Sequence, residues 1–171
     1  MAVKSVGQSG DDNSSKYLTF LLGDETYAFN LLKVREIIEY GEITSMPLMP
    51  YFISGVINIR GRAVPVIDLS QRIGKDGVDV TRRTCIVIVE LKTEECVIIV
   101  GVIIDSIKKV LDLHQNDIEA APSFGGSIRT DFIEGMGKVE NEFVIVLNID
   151  KIISMEDIQE LSAATVRQEP C

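Results

Sequence analysis

The segment GVINIRGRAVPVID, residues 55–68, decides the fold, because it is typical of two short strands joined by one tight turn. Glycine suits the first position of a two-residue type II′ turn, so we predict a hairpin that turns at Gly61–Arg62. That register pairs Ile57 with Val66 and Ile59 with Val64 on one face. The opposite face is then expected to carry Val56, Asn58 and Arg60.

A second hairpin is predicted in MGKVENEFVIVLN, residues 136–148, with its turn at Glu140–Asn141. The two hairpins resemble each other at an offset of 80 residues, since FISG at 52–55 matches FIEG at 132–135. Short apolar patterns also recur by chance. The repeat therefore leaves two readings open, a coincidence or a pair of related subdomains.

Short β-branched segments separated by turn residues fill the rest of the chain and favour an all-β barrel or sandwich. The predicted strands are Lys16–Leu22, Glu25–Phe29, Gly55–Arg60, Ala63–Leu69, Thr84–Leu91, Cys96–Ile104, Phe132–Val139 and Phe143–Asn148. Helices are predicted at Asn30–Glu39 and Ser154–Ala163. Residues 1–15 are predicted to be a disordered lead and residues 165–171 a flexible tail.

The composition excludes several classes of function. The 171 residues carry a net charge of −9 without a basic stripe, which disfavours nucleic-acid binding. No apolar run reaches the roughly 18–20 residues of a membrane helix, and the N-terminus lacks a signal-peptide pattern, so a cytoplasmic location is expected. The three cysteines lack metal-ligand spacing, and we expect Cys85 and Cys96 to be free, reduced and buried.

No catalytic or metal-binding constellation emerges from the sequence. The single histidine, His114, lies in a polar segment expected to be a loop, with no neighbouring cysteine or histidine. No serine lies in a nucleophile elbow, and Gly125–Gly126 does not follow a strand as a phosphate-binding loop should. The prediction is therefore a protein with no catalytic residue, no metal and no cofactor.

Surface groups offer a different kind of site. In a helix over Asn30–Glu39, Leu31, Val34 and Ile38 would face the core, while Leu32, Glu36 and Ile37 would point away from it. The outward residues are either covered by the barrel or line a groove for a partner helix. Arg60 is either a simple surface charge or an anchor for a carboxylate on that partner.

The sequence resembles the CheW family from about Lys16 to Ser162. The blocks that carry the resemblance are FLLGDETY (20–27), LKVREI (32–37), FISGVINIRG (52–61), VPVIDL (64–69), GVIID (101–105) and APSF (121–124). Ile59 departs from the leucine that is usual in the family, and Glu119 stands where relatives can carry a basic residue.

The resemblance implies a mainly β fold of two five-stranded SH3-like β-barrels packed on a shared core, with short helices and a C-terminal helix. It implies one domain over residues 16–164, dividing near residues 80–84, with an exchange of strands between the halves left open. It implies no enzymatic activity and no cofactor, and a role in coupling the histidine kinase CheA to the cytoplasmic tips of chemoreceptors.

The resemblance also assigns residues to the two partners. The receptor-facing side would carry Val34, Glu36, Ile37, Gly55, Asn58 and Arg60. The contact with the regulatory domain of the kinase would involve Glu119, Pro122 and Phe124. Two alternatives stay open: a CheW-like module within a larger signalling protein, and a small β-barrel that binds a ligand.

Overall fold

A computed structural model describes residues 14–92, 97–120 and 132–153, and these residues form mainly β-structure. The strands are β1 (Ser14–Leu22), β2 (Glu25–Asn30), β3 (Val34–Glu39), β4 (Ile53–Ile59), β5 (Arg62–Asp68), β6 (Cys85–Lys92), β7 (Val97–Ile104), β8 (Ser106–His114), β9 (Ile118–Glu119), β10 (Ile133–Val139) and β11 (Glu142–Leu147). Short helices follow two of them, α1 (Leu69–Arg72) and α2 (Ile149–Ile152), and 3-10 turns occupy Leu31–Lys33 and Gln115–Asp117. Within the described ranges, no helix is long and apolar enough to cross a membrane.

The strands form two sheets that draw on different parts of the chain. Sheet A has the order β9-β10-β11-β2-β1-β8, and sheet B has the order β3-β6-β7-β5-β4. Sheet A therefore joins the first two strands to the last four. In each sheet one parallel pair, β11 with β2 or β5 with β7, lies among antiparallel neighbours.

Each sheet curls around an apolar cluster of its own. In sheet A, Tyr17, Ala28, Leu113, Val144 and Val146 pack together, and half-buried Ile118 on the opposite edge strand joins them. Since β8 and β9 are the two edges of this sheet, their meeting at one cluster closes it into a barrel, barrel A. The cluster of sheet B contains residues from all five strands, which defines barrel B. The mainly β, two-barrel prediction is confirmed.

The 80-residue repeat corresponds to a structural duplication. Phe52 accepts a backbone hydrogen bond from Asp68 at 2.8 Å, and Phe132 accepts one from Asn148 at 2.8 Å. Asp68 and Asn148 then cap α1 and α2 with their side chains. Both hairpins also have a register irregularity at the same place, between Ile53 and Gly55 in β4 and between the corresponding residues of β10. The repeat therefore marks two related subdomains.

The turn of the first hairpin lies one residue earlier than the sequence predicted. Ile59 pairs with Arg62 and Ile57 with Val64, so the turn residues are Arg60 and Gly61, with φ of 51° and 84°. Two consecutive positive φ values define a type I′ rather than a type II′ turn. The alternation of faces in β4 is as predicted, but the pairings of Ile57 with Val66 and of Ile59 with Val64 are wrong. The second hairpin turns at Glu140–Asn141, as predicted.

The predicted helix over Asn30–Glu39 is wrong. Asn30 does cap a turn, but that turn ends at Lys33, and the chain continues as strand β3 along β6. The β-branched residues of β3 favour an extended backbone, and β6 supplies its hydrogen-bond partners. Tertiary pairing thus overrides a local helical pattern.

Two boundary predictions also need correction. Ser14 and Ser15, expected in the disordered lead, open β1 and pair with β8. Cys85 is half-buried rather than buried, and both burial and Glu39 raise the pKa of its thiol. Cys96, the tail at residues 165–171 and the predicted helix Ser154–Ala163 lie outside the described residues.

The largest apolar cluster lies between the barrels rather than inside either. Sheet A contributes Phe20, Tyr27 and Phe29, and sheet B contributes Val89 and Val102, all fully buried. Each sheet is therefore apolar on both faces, one toward its own barrel and one toward the other barrel. Such double burial explains the nearly continuous apolar runs in the strands.

Arg72 bridges the two halves at this interface. Its guanidinium carbon lies 4.4 Å from the ring centre of Phe52 and 5.0 Å from that of Phe132, the duplicated pair. Its Nε donates a hydrogen bond to the Ile152 carbonyl at 2.6 Å. Cation–π contacts gain strength where water is excluded, so this residue links α1 to both hairpins.

We predict that Arg72→Ala lowers the free energy of unfolding by about 2–4 kcal/mol, because it removes both cation–π contacts and a charge-assisted hydrogen bond. Urea denaturation measures the change. Arg82→Ala, at an exposed arginine, serves as control and should stay within about 0.5 kcal/mol of the parent. Equal effects of both substitutions would contradict the bridging role.

Candidate protein-binding surface

An ion pair joins the edge strand β3 to the β4–β5 turn. Nη1 and Nη2 of Arg60 donate to the two carboxylate oxygens of Glu36, each at 3.0 Å. The bidentate geometry fixes the guanidinium plane relative to the carboxylate. The Arg60 side chain is 75% exposed, whereas that of Glu36 is 26% exposed. The arginine therefore presents most of its surface to solvent.

The ion pair also shifts the pKa of both of its members, Glu36 and Arg60. The hydrogen bond from Arg60 lowers the pKa of Glu36 below its ordinary value, and Glu36 in turn raises the pKa of Arg60. Because the carboxyl pKa is lowered in the folded protein, the pair contributes fully above the ordinary glutamate pKa. Its contribution is lost as pH falls through the lowered value. Both groups are charged at neutral pH.

A groove of about 260 Å³ opens beside this pair at one end of barrel B. Its floor is apolar and its rim is rich in arginine, and it is lined by Arg35, Glu36, Ile59, Arg60, Arg62, Val64, Ile88 and Ile99. Three guanidinium groups meet two carboxylates here, because Arg60 pairs with Glu36 and Arg35 pairs with Glu90 at 2.8 Å, and arginine side chains still predominate on the rim. The groove therefore suits a segment that presents apolar side chains next to carboxylates.

Two of the residues assigned to the receptor side have structural roles. A Cβ on Gly55 would lie 2.1 Å from the Thr44 carbonyl oxygen, and its φ is +149°, so only glycine fits there. Asn58 is exposed, and its Oδ1 accepts a hydrogen bond from the Gly61 amide at 2.9 Å, which supports the turn that holds Arg60.

Val34 and Ile37 do not share a surface with Glu36. Val34 is half-buried and packs against the cluster between the barrels. Ile37 is 42% exposed and pairs with Val87, whose side chain belongs to that same cluster. In a strand, neighbouring side chains point to opposite faces, so Glu36 and Ile37 diverge, contrary to the helical prediction.

The residues assigned to the kinase are only partly described. Glu119 is exposed and lies in the two-residue edge strand β9, paired with Met136. Pro122 and Phe124 lie outside the described residues. An exposed edge position is compatible with a contact.

The sequence analysis missed an apolar loop between β3 and β4. Leu48 is fully exposed and has a φ of 60°, and Tyr51 is 71% exposed. Two prolines, Pro47 and Pro50, flank Leu48–Met49 in the sequence and are the one signal that Leu48 is exposed, whereas Met49 packs against the cluster between the barrels. Large apolar side chains exposed in one loop are a feature of protein contacts.

His114 proves to be part of a strand end rather than a loop. It is the last residue of β8, and its Nδ1 accepts a hydrogen bond from the Asn116 amide, which caps the following 3-10 turn. Across residues 14–92, 97–120 and 132–153, no three side chains of histidine, cysteine or acidic type are grouped to hold a metal ion.

Comparisons with known proteins agree with this architecture. The family model described as a CheW-like domain matches residues 16–157. The chemotaxis protein CheW of Klebsiella aerogenes is 32% identical over 150 residues, covering 88% of each chain. The chemotaxis protein CheW of Bacillus subtilis is 32% identical over 145 residues, covering 84% of this chain and 90% of that protein.

A solved structure, the scaffolding protein TtCheW of Thermoanaerobacter tengcongensis, superposes with a TM-score of 0.76 at 29% identity. The match covers 90% of this chain and 96% of that one. The chain therefore belongs to the CheW-like domain family. The expectation of a CheW-type chemotaxis scaffold with two β-barrels is confirmed.

We predict that Gly55→Ala lowers the free energy of unfolding by more than about 2 kcal/mol, since the methyl group would overlap the Thr44 carbonyl at a positive φ. Gly41→Ala is the matched control, because a Cβ there meets nothing within 4 Å. Thermal and urea denaturation of both variants measure the effect. A stable Gly55→Ala protein would contradict the close approach.

Proposed function

We propose that this protein is a non-catalytic adaptor that couples the histidine kinase CheA to the cytoplasmic tips of chemoreceptors. The observation that carries the proposal is the bidentate Glu36–Arg60 pair beside an apolar groove in a chain of the CheW-like family. The adaptor would act at the cytoplasmic face of the membrane and be held there by protein contacts.

The groove of barrel B is the proposed receptor site. A receptor tip is a helical structure, and an amphipathic helix can lay its apolar ridge on a floor such as Ile59, Val64 and Ile88. Its carboxylates would pair with the arginine rim. Glu36 holds the Arg60 guanidinium in place before binding, which reduces the entropy lost when a partner docks.

The kinase contact is proposed for the part of barrel A around edge strand β9. Strand β9 carries Glu119 there, and Pro122 and Phe124 follow it in the chain. This edge belongs to barrel A, whereas the groove belongs to barrel B. Separate barrels allow both partners to be held at the same time.

Such an adaptor transfers a signal through differences in its binding affinity for the states of the receptor. The receptor can control the kinase only if its two states differ in binding energy through the adaptor, typically by about 1–3 kcal/mol. Two contacts of modest strength suffice, since the first raises the effective concentration for the second. No covalent step is required of this chain.

We predict that Arg60→Glu weakens receptor association at least about tenfold while the fold is retained, because the side chain is mostly exposed and the new carboxylate repels an acidic partner. A titration against soluble receptor fragments measures it. Arg82→Glu makes the same charge change at an exposed arginine outside the groove and should bind normally. If Arg60→Glu binds receptor fragments with unchanged affinity, the groove of barrel B is not the receptor site.

We predict that Phe124→Ala weakens binding to the kinase regulatory domain and spares receptor binding, because a large apolar side chain a few residues after β9 in the sequence would anchor that contact. Parallel titrations with both partners test it. If both affinities fall together with the melting temperature, Phe124 is a core residue and the assignment is wrong.

A further inference from the structure

A second, larger groove lies on barrel A, with a volume of about 610 Å³. It lies beside the β10–β11 hairpin and the β1–β2 turn. Its apolar lining consists of Leu21, Ile133, Met136, Phe143 and Ile145. The groove shares no lining residue with the barrel B groove.

Among the five apolar residues that line the barrel A groove, Phe143 is the most exposed, with 58% of its surface accessible. The other four apolar residues are half-buried, so the aromatic ring continues a connected apolar surface. The duplication shows that the fold does not demand it, because alanine, Ala63, occupies the position 80 residues earlier in the other hairpin. An exposed aromatic ring that continues an apolar groove offers a surface on which an apolar side chain of a partner can pack.

The rim of this groove is acidic. Glu25 binds Lys75 and accepts a hydrogen bond from the Tyr27 hydroxyl, and Glu142 binds Lys108. These lysine contacts lower the pKa of both glutamates, so both are ionised at neutral pH.

Asp24 adds a third carboxylate, and it has no hydrogen-bond or ion-pair partner in the part of the chain that the structure describes. Three carboxylates therefore face two lysines, and the uncompensated charge lies at the exposed β1–β2 turn. This rim has the opposite sign to the arginine-rich rim of barrel B.

We propose that the barrel A groove docks a protein segment that presents a large apolar side chain next to lysine or arginine. The apolar side chain packs against Phe143 and Met136, and the cation pairs with Asp24. Opposite charge favours encounter and orientation, while the aromatic contact supplies most of the affinity. This site goes beyond the proposed coupling role and does not depend on it.

The test uses the full chain and two fluorescent amphipathic helical peptides, one with lysines flanking a leucine ridge and one with glutamates at the same positions. Fluorescence anisotropy should show binding of the lysine peptide and at least tenfold weaker binding of the glutamate peptide. Asp24→Asn and Phe143→Ala should each lower the affinity for the lysine peptide about fivefold or more. Asp24→Asn removes a charge that has no partner within residues 14–92, 97–120 and 132–153, so the fold of this variant should be intact.

Matched controls keep the result specific. Glu39→Gln removes an exposed carboxylate from barrel B, and Val80→Ala truncates an exposed apolar residue elsewhere. Both should bind the lysine peptide normally, and so should Arg60→Glu.

Equal binding of the two peptides, no binding of either, or full affinity in Asp24→Asn and Phe143→Ala would overturn the proposal. Loss of binding in Arg60→Glu would also overturn it, since the peptide would then occupy barrel B. Receptor and kinase titrations of Asp24→Asn report separately on the coupling role.

Discussion

The structure depends on the apolar layer between the two barrels. Each sheet buries one face in its own barrel and the other face against the neighbouring barrel. Neither barrel alone could therefore bury the apolar side chains on its outer face. Arg72 adds a polar constraint to this layer, because it lies between the duplicated rings of Phe52 and Phe132. The interface thereby fixes where the hairpin tips and the strand edges lie.

On this fixed body, the duplicated hairpins carry opposite charges. Arg60 and Glu140 are equivalent first turn residues, with φ of 51° and 50°. Each pairs with the edge strand of its barrel, Arg60 with Glu36 on β3 and Glu140 with Lys109 on β8. One backbone geometry therefore presents a guanidinium in one barrel and a carboxylate in the other. Such divergence lets one scaffold serve partners of different charge.

The candidate site was only partly predictable. The hairpin motif placed Asn58 and Arg60 near its tip, because strand alternation and turn chemistry are local properties. The partnership of Arg60 with Glu36 was not predicted, since it requires β3 to be a strand beside β6, whose paired residues lie between 46 (Glu39 with Cys85) and 55 (Val34 with Val89) positions apart in the chain. The error in the conformation of β3 likewise placed Ile37 on the wrong face. Tyr51 and Phe143 are ordinary apolar residues in sequence, and their exposure follows from tertiary structure.

Local sequence patterns were enough to predict the β class, two hairpins and the family, because these depend on alternation, turn residues and motif order over short spans; the duplication was established only by the matching hydrogen bonds and helix caps of the two halves. Tertiary structure alone decided which strands share a sheet, since β1 and β2 pair with strands more than 80 residues away. It also decided that Asn30–Glu39 is extended and that Arg72 joins the barrels. These features arise from contacts between distant segments, whose energies no local pattern encodes.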